Sequence, residues 1–425
     1  MATTATAQSV DANKIFIASC FALITTAMAF GIRAGVLTQL GDQFRLTNEQ
    51  LGYVNQMAFL GFPIAMIIGG PLYNALGPKR IVWMAFVTHV LGLVMTIFAG
   101  GFWTLLLSTF LVGFGNGMVE AACNPMIANA YSGNETTKML NRFHMWFPGG
   151  IVIATLLSKF MTDNNLGWQL QIGIILIPAV IYAFLFLGQT FPQSRVEGAA
   201  STGQNFQAML SPLYLFMLAC MALTAISEFG PQQWVGPIME NSGASPMLIL
   251  ALVTGLMAVG RYFAGPVVHR LNPTGILWAS AVFATIGIIL MSQATGAMVY
   301  VSAVMFAIGV CYFWPTMLGF IAEYQPRSGA FGLSIMGGMG MFSASIFQPI
   351  IGGWLDGENK VAAAAGLTGN AADLAAGQAT LAKMAFCPGI LMVAFGVLYF
   401  VMRNRKPGHV VGNGVGGPAA AVTRA

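Results

Sequence analysis

The sequence predicts an all-α membrane protein, with twelve transmembrane helices in two pseudo-symmetric six-helix bundles. Three observations carry this. Of 425 residues, 57% are hydrophobic and only 7% charged, with a mean hydropathy of +0.75, whereas soluble domains carry about 25% charged residues. Apolar runs of about 20 residues, the length that crosses a bilayer, recur along the chain. The two halves of the sequence also rhyme.

The predicted helices cover 15–39, 50–74, 80–99, 103–130, 139–161, 168–189, 211–239, 246–268, 274–293, 297–321, 329–354 and 380–402. The breaks between them carry Gly, Pro, Asn or charge, as at Gly77-Pro78, Asn164-Asn165 and Asn272-Pro273. The runs do not alternate every second residue, which excludes the strands of a membrane barrel. The 51 glycines suit helices packed backbone to backbone in lipid, with 27 Met and 31 Phe filling the remaining surface. Cys20, Cys123, Cys220, Cys311 and Cys387 all fall within apolar runs and read as small packing residues.

Lys and Arg set the orientation. With the N-terminus inside, Lys14, Lys79, Arg80, Lys138, Arg142, Arg195, Arg270, Arg327, Arg403, Arg405, Lys406 and Arg424 lie at the cytoplasmic side. Arg45, Lys159, Lys360 and Lys383 lie outside, and Arg33 and Arg261 fall within helices. This bias satisfies the positive-inside rule and accounts for the net charge of +5 without nucleic acid as a partner. Both termini are expected in the cytoplasm of a bacterial-type inner membrane. Residues 1–14 lack a cleavable signal pattern, so the first helix is expected to be retained. The domain plan is a tail (1–14), a first bundle (15–190), a linker (191–210), a second bundle (211–403) and a second tail (404–425).

Gly70-Pro71 through Gly77-Pro78 closes the second helix, and Gly265-Pro266 through Asn272-Pro273 closes the eighth, 195 residues later. The same offset carries Arg33 onto Glu228. Secondary transporters are built from such duplications, with a site at the midplane between the halves. No phosphate-binding Gly-rich loop, metal-spaced His/Cys/acid cluster or hydrolase elbow is present. An enzyme is therefore not predicted, nor any cofactor. The segment Asp356 to Thr380, rich in Ala and Gly, is read as an outer connection holding little chemistry.

Gly70-x-Leu72-x-Asn74-x-x-Gly77-Pro78-Lys79-Arg80 resembles the loop between helices two and three of the major facilitator superfamily, with Asn74 in place of the usual Asp. Glu120-Ala-Ala-Cys-Asn124-Pro125 is similar to the helix-four motif of the fucose permease family of sugar symporters. Leu140-Asn141, Glu228 with Trp234, Phe313-Trp314-Pro315 and Gln348-Pro349 extend that resemblance. The chain departs from it on helix one, where Phe30-Gly-Ile-Arg33 carries Arg and no acid; an Arg there resembles organic-anion carriers of the same superfamily. The resemblance implies proton-coupled uptake of a monosaccharide or similar small polar solute by a monomer.

The intramembrane polar residues are the candidate site, because charge in lipid is kept for a partner or a task. Glu120 and Glu228 are the candidates for proton coupling. Arg33, about 25–30 Å from the inner end of its helix at 1.5 Å per residue, either pairs with Glu228 across the two halves or clamps a substrate carboxylate. Asn55, Gln56, Asn124 and Gln348 offer amides to hydroxyls, and Trp146, Trp234 and Trp314 offer aromatic faces. His144 either relays protons or packs, and His89 is read as structural. Asn74, Lys79, Arg80, Arg270 and Glu323, with Arg33 and Glu228, are the expected gating residues, and Arg261 is expected toward the inner side.

Overall fold

The computed structural model describes residues 10–131, 139–140, 142–192, 202–263 and 271–403. The gating candidate Arg270 lies outside the described residues, and Asn74 is described only as part of a helix.

Twelve apolar helices run through the described residues. In the first half they are α1 (Ala12–Phe44), α2 (Asn48–Leu76), α3 (Pro78–Ile97), α4 (Phe102–Ala130), α5 (Arg142–Asp163) and α6 (Trp168–Phe186). In the second they are α7 (Pro212–Gln233, continued by Val235–Met239), α8 (Pro246–Tyr262), α9 (Pro273–Met291), α10 (Ala297–Tyr324), α11 (Gly329–Ala364) and α12 (Asn370–Met402). Eleven are long and apolar enough to cross a membrane; α8 is the shorter one among the described residues. A short helix, Thr202–Met209, lies in the linker. The face carrying the N-terminus and the end of α12 is called the terminal face below, and the opposite one the distal face.

Five helix starts follow directly from the sequence. Asp11 caps α1 by accepting from the Lys14 amide, and that backbone bond holds its carboxyl below the ordinary range. Thr47 and Gln50 form a reciprocal capping box on α2. Gly77, at φ +79°, turns the chain from α2 into α3, with Pro78 at the first helical position. Ser211 and Asn272 cap α7 and α9, each followed by Pro.

Within each half the helices approach closely through glycine. A side chain at Gly113 or Gly117 of α4 would overlap the α2 backbone at Ala58 or Phe62. Gly287 of α9 and Gly309 of α10 meet each other's helix backbones in the same way. Association in lipid rests on such packing, since hydrocarbon solvates apolar side chains as well as a neighbouring helix does. The central stretch of α1, Ala22–Ala34, is buried on every side, as expected of a helix apolar all round.

The two halves meet along α2 with α11, α5 with α8 and α1 with α7. The α2–α11 seam is tight at its distal end. A side chain at Gly52 would overlap the backbone of Gln348 and Pro349, and one at Gly352 would overlap Asn48 and Glu49. Ser345 donates to the Gln56 carbonyl at 3.2 Å. Toward the terminal face the seam opens: a Cβ at Gly338 stands 4.0 Å from Pro63, and Gly70 faces open space.

One expectation is overturned here. Residues 356–380 are mostly helical: α11 runs on to Ala364 and α12 begins at Asn370. The alanines that carry no hydropathy signal for a span are the strongest helix formers. Only the link around Gly366 and Gly369, both at positive φ, turns the chain.

Candidate functional site

The polar residues of the interior are stacked in layers between the halves. At the distal face a cavity of about 610 Å³ is lined by Thr38, Asp42, Arg45, Asn48 and Leu51 from the first half, and by Pro237, Glu240, Asn359, Asn370 and Asp373 among others from the second. Desolvation raises the Glu240 carboxyl above its ordinary value, and the charge of Asp42 adds to this; Thr38 opposes it by hydrogen bonding, while Asp373 adds to it.

Below that vestibule lies Arg33, 6% exposed. Its Nε donates to Asn55 Oδ1 at 3.0 Å and its Nη2 to Gln233 Oε1 at 2.7 Å. The guanidinium also sits 4.8 Å from the Phe30 ring centre and 5.8 Å from that of Phe59. Asn55 belongs to the same half as Arg33, and Gln233 to the other, so this bond bridges the interface. Trp234 Nε1 donates to Gln348 Oε1 at 2.9 Å beside it. The second amide groups, Asn55 Nδ2 and Gln348 Nε2, are buried without a hydrogen-bond partner.

Next comes an aromatic plug. Phe30, Phe59 and Phe229 meet edge to face or tilted, with centroids 5.1, 5.4 and 6.4 Å apart. Trp314 packs on Phe229 and Phe147 on Phe30. α1, α2, α5, α7 and α10 all contribute, so aromatic side chains of both halves meet here.

Glu120 and Asn124 lie on the terminal side of the plug. Asn124 Nδ2 donates to Glu120 Oε2 at 2.6 Å, one helical turn apart on α4, and Asn124 Oδ1 is left without a partner. Glu120 is 8% exposed and Asn124 half-buried. Trp146, half-buried, and His144, exposed, stand at the start of α5.

Several expectations require correction. Arg33 does not pair with Glu228. The Glu228 carboxylate is held by Arg261 at 3.4 Å, and the Arg261 Nε donates to the Cys311 carbonyl at 2.8 Å. At 100° per residue, Glu228 and Gln233 point about 140° apart around α7, so the acid turns into its own half while the amide faces Arg33. Arg261 stands in the last turn of α8, as its expected position on that helix toward the inner side requires, and its partners are Glu228 and the Cys311 carbonyl. Trp234 is fully buried and Gln348 is 1% exposed; the bond between them is internal to the second half, and neither presents a face to a cavity. Glu323 is exposed, as are Lys79 and Arg80, and none of the ion pairs among the described residues involves them. His89 is structural: its ring bonds Tyr182 and Asn116 within the first half.

Sequence reading missed Gln233 and the phenylalanines of the plug. Two successive amides, Gln232-Gln233, mid-helix after Pro231 were the available signal. The phenylalanines gave none, since one Phe in an apolar run looks like another.

Residues 19–349 match the family model of the Major Facilitator Superfamily. The chain belongs to that superfamily. This facilitator is thus a multi-pass membrane transporter and not an enzyme. It is similar to myo-inositol transporter 1 of Candida albicans (23% identity over 41% of this chain and 33% of the relative). It is also similar to the D-xylose transporter of Levilactobacillus brevis (25%, over 37% and 34%) and the arabinose-proton symporter of Escherichia coli K12 (25%, over 46% and 40%). The matched stretches thus span between a third and two fifths of these relatives. Among solved structures, a D-xylose-proton symporter superposes with a TM-score of 0.72 at 15% identity, covering 88% of this chain and 96% of its own. The E. coli fucose:proton symporter superposes with a TM-score of 0.60 at 16% identity, covering 90% and 98%. At these identities the structural likeness is one of fold.

Proposed function

We propose that this facilitator is a secondary active transporter that works by alternating access and takes up a monosaccharide or similar small polar solute together with protons. The terminal face is taken as cytoplasmic, in a bacterial-type inner membrane, so the conformation described is the one closed to the outside. The observation that carries the reading is the Glu120–Asn124 pair on the open side of the aromatic plug. It joins a carboxyl able to exchange a proton to an amide whose oxygen has no partner, which a sugar hydroxyl would satisfy. The relatives named for inositol, xylose and arabinose support the substrate class.

In the proposed cycle Glu120 gains a proton from outside, substrate binds between the halves, and release of both to the cytoplasm resets the carrier. Glu228 is the second coupling candidate, since a proton there would weaken its hold on Arg261. Glu120→Gln is expected to abolish substrate-driven proton uptake in reconstituted vesicles while preserving substrate exchange; proton flux equal to the parent's would refute the role.

A second reading, a carrier of sugar acids or organic anions, is favoured by one observation. Arg33 is a buried cation whose hydrogen-bond acceptors are neutral amides, and a buried charge calls for an opposite one. Competition between neutral sugars and their acids for transport separates the two readings.

A further inference from the structure

At the distal end of the α2–α11 seam, the first turn of α2 has backbone N–H groups that its own helix cannot use. The capping box satisfies two of the four at this end: the Gln50 amide donates to Thr47 Oγ1 at 3.2 Å and the Thr47 amide to Gln50 Oε1 at 3.0 Å. The amides of Asn48 and Glu49 remain, and both are taken by a side chain from the opposite half. The Asn48 amide donates to Asp356 Oδ1 at 3.1 Å and the Glu49 amide to Asp356 Oδ2 at 2.8 Å. Asn48 Nδ2 adds a third bond to Oδ1 at 2.9 Å. Both carboxylate oxygens are thereby engaged at the positive end of a helix of 29 residues, where a negative charge is stabilised.

We propose that Asp356 is the positioning residue that latches the distal gate, a carboxylate of the second half serving as the detachable N-cap of α2 in the first. Gly352 lies one turn before it on the same face of α11, and only a residue without a side chain lets α11 come this near to Asn48 and Glu49. Glycine supplies the approach and Asp356 the attraction. The partners all separate when the halves rock apart at this end, and water replaces each bond, so the contact is reversible. Charge-assisted bonds to backbone amides are stronger than neutral ones, and the latch biases the carrier toward the distally closed conformation. Glu358, two residues on, pairs with Lys383 inside the second half and has no part in it.

The proposal rests on the alternating-access reading above. The test uses a membrane-impermeant maleimide on full-length protein in vesicles. One reporter is Leu51→Cys, buried at the floor of the distal vestibule. The other is Met66→Cys, beside the plug on the terminal half of α2. The five native cysteines are buried. Asp356→Ala is expected to raise labelling of Leu51→Cys from the distal side at least roughly tenfold, the equivalent of one charge-assisted hydrogen bond at the low end of its range, and to lower terminal-side labelling of Met66→Cys. Asp356→Asn keeps the shape and one acceptor but turns an NH2 group toward a donor; it is expected to give a smaller rise in the same direction, and it covers the case in which the alanine variant fails to fold. Glu358→Ala is expected to leave both reporters unchanged. Leu51→Cys labelling equal to the parent's in a folded Asp356→Ala or Asp356→Asn protein would overturn the latch. A rise at Leu51→Cys with no fall at Met66→Cys would keep the latch and overturn the reciprocal rocking of the two halves.

Discussion

The two arginines within the helices, Arg33 buried and Arg261 half-buried, are neutralised in different ways, and the difference follows the seam between the halves. Arg261 meets a carboxylate, Glu228, and both belong to the second half. Arg33 meets two amides, and one of them, Gln233, lies across the interface. A pair inside one bundle is not parted by movement between the halves, so an ion pair there carries no cost from that movement. Under the proposed alternating access, a contact between halves is made and broken in every cycle. Breaking a buried ion pair leaves two uncompensated charges, at several kcal/mol each, whereas an arginine released from an amide loses about 1.5–3 kcal/mol. Neutral partners at the interface keep the two conformations close enough in energy to exchange.

The sharpest way to break this comparison is to remove the cation of the permanent pair. Arg261→Ala leaves Glu228 buried and unpaired, and is expected to lower stability by about 3–5 kcal/mol, seen as a large drop in the thermal unfolding midpoint in detergent. Replacing both partners, Arg261→Met with Glu228→Gln, is expected to recover most of that loss; no recovery would mean that the pair is not what Arg261 provides. Arg33→Gln is expected to cost less than half as much stability and to act on conformation instead. Distal-side labelling of a cysteine at Leu51 should rise roughly tenfold as the Gln233 bridge is lost, by about the worth of one charge-assisted bond at the low end of its range. Equal stability losses for the two arginine variants would erase the distinction between bridging and internal contacts.

The smallest expected effect concerns pH. Glu240 lies at the vestibule wall with Asp42, Arg45 and Asp373, and its carboxyl is raised by desolvation and by its acidic neighbours. Closing the distal end brings Asp42 of one half toward Glu240 and Asp373 of the other, so the closed form holds the proton more tightly than the open one. By linkage, closure is favoured as pH falls through the raised range of Glu240, and this advantage is lost as pH rises above it. Labelling at Leu51→Cys should fall modestly on acidification, and the fall should vanish in Glu240→Gln.

How far the sequence could be read depended on the kind of signal. The spans of α1 to α12 were legible because a bilayer demands about 20 apolar residues and tolerates few charges. The ends were less so. α11 continues to Ala364 through Gly-Glu-Asn-Lys-Val-Ala, which no hydropathy window marks. Glu120 with Asn124 was legible as an i, i+4 pair on one helix face, and the structure joins them. Glu228 was found as an intramembrane acid, but of the two roles left open for Arg33 the pairing with Glu228 is not formed, because equal depth on two helices says nothing about the direction in which each side chain faces. Asp356 was read as the start of an outer segment holding little chemistry, because an acid at the edge of an apolar run looks like a surface residue.

The sequence alone determined what depends on local chemistry: which stretches enter lipid, where helices start, the superfamily loop, and which charges are too costly to be idle. The tertiary structure decided which of those charges meet. Pairing is set by rotation about each helix axis and by how closely two backbones approach. Arg33 therefore found Gln233 instead of Glu228, and Asp356 came within reach of the first turn of α2 only because Gly352 carries no side chain.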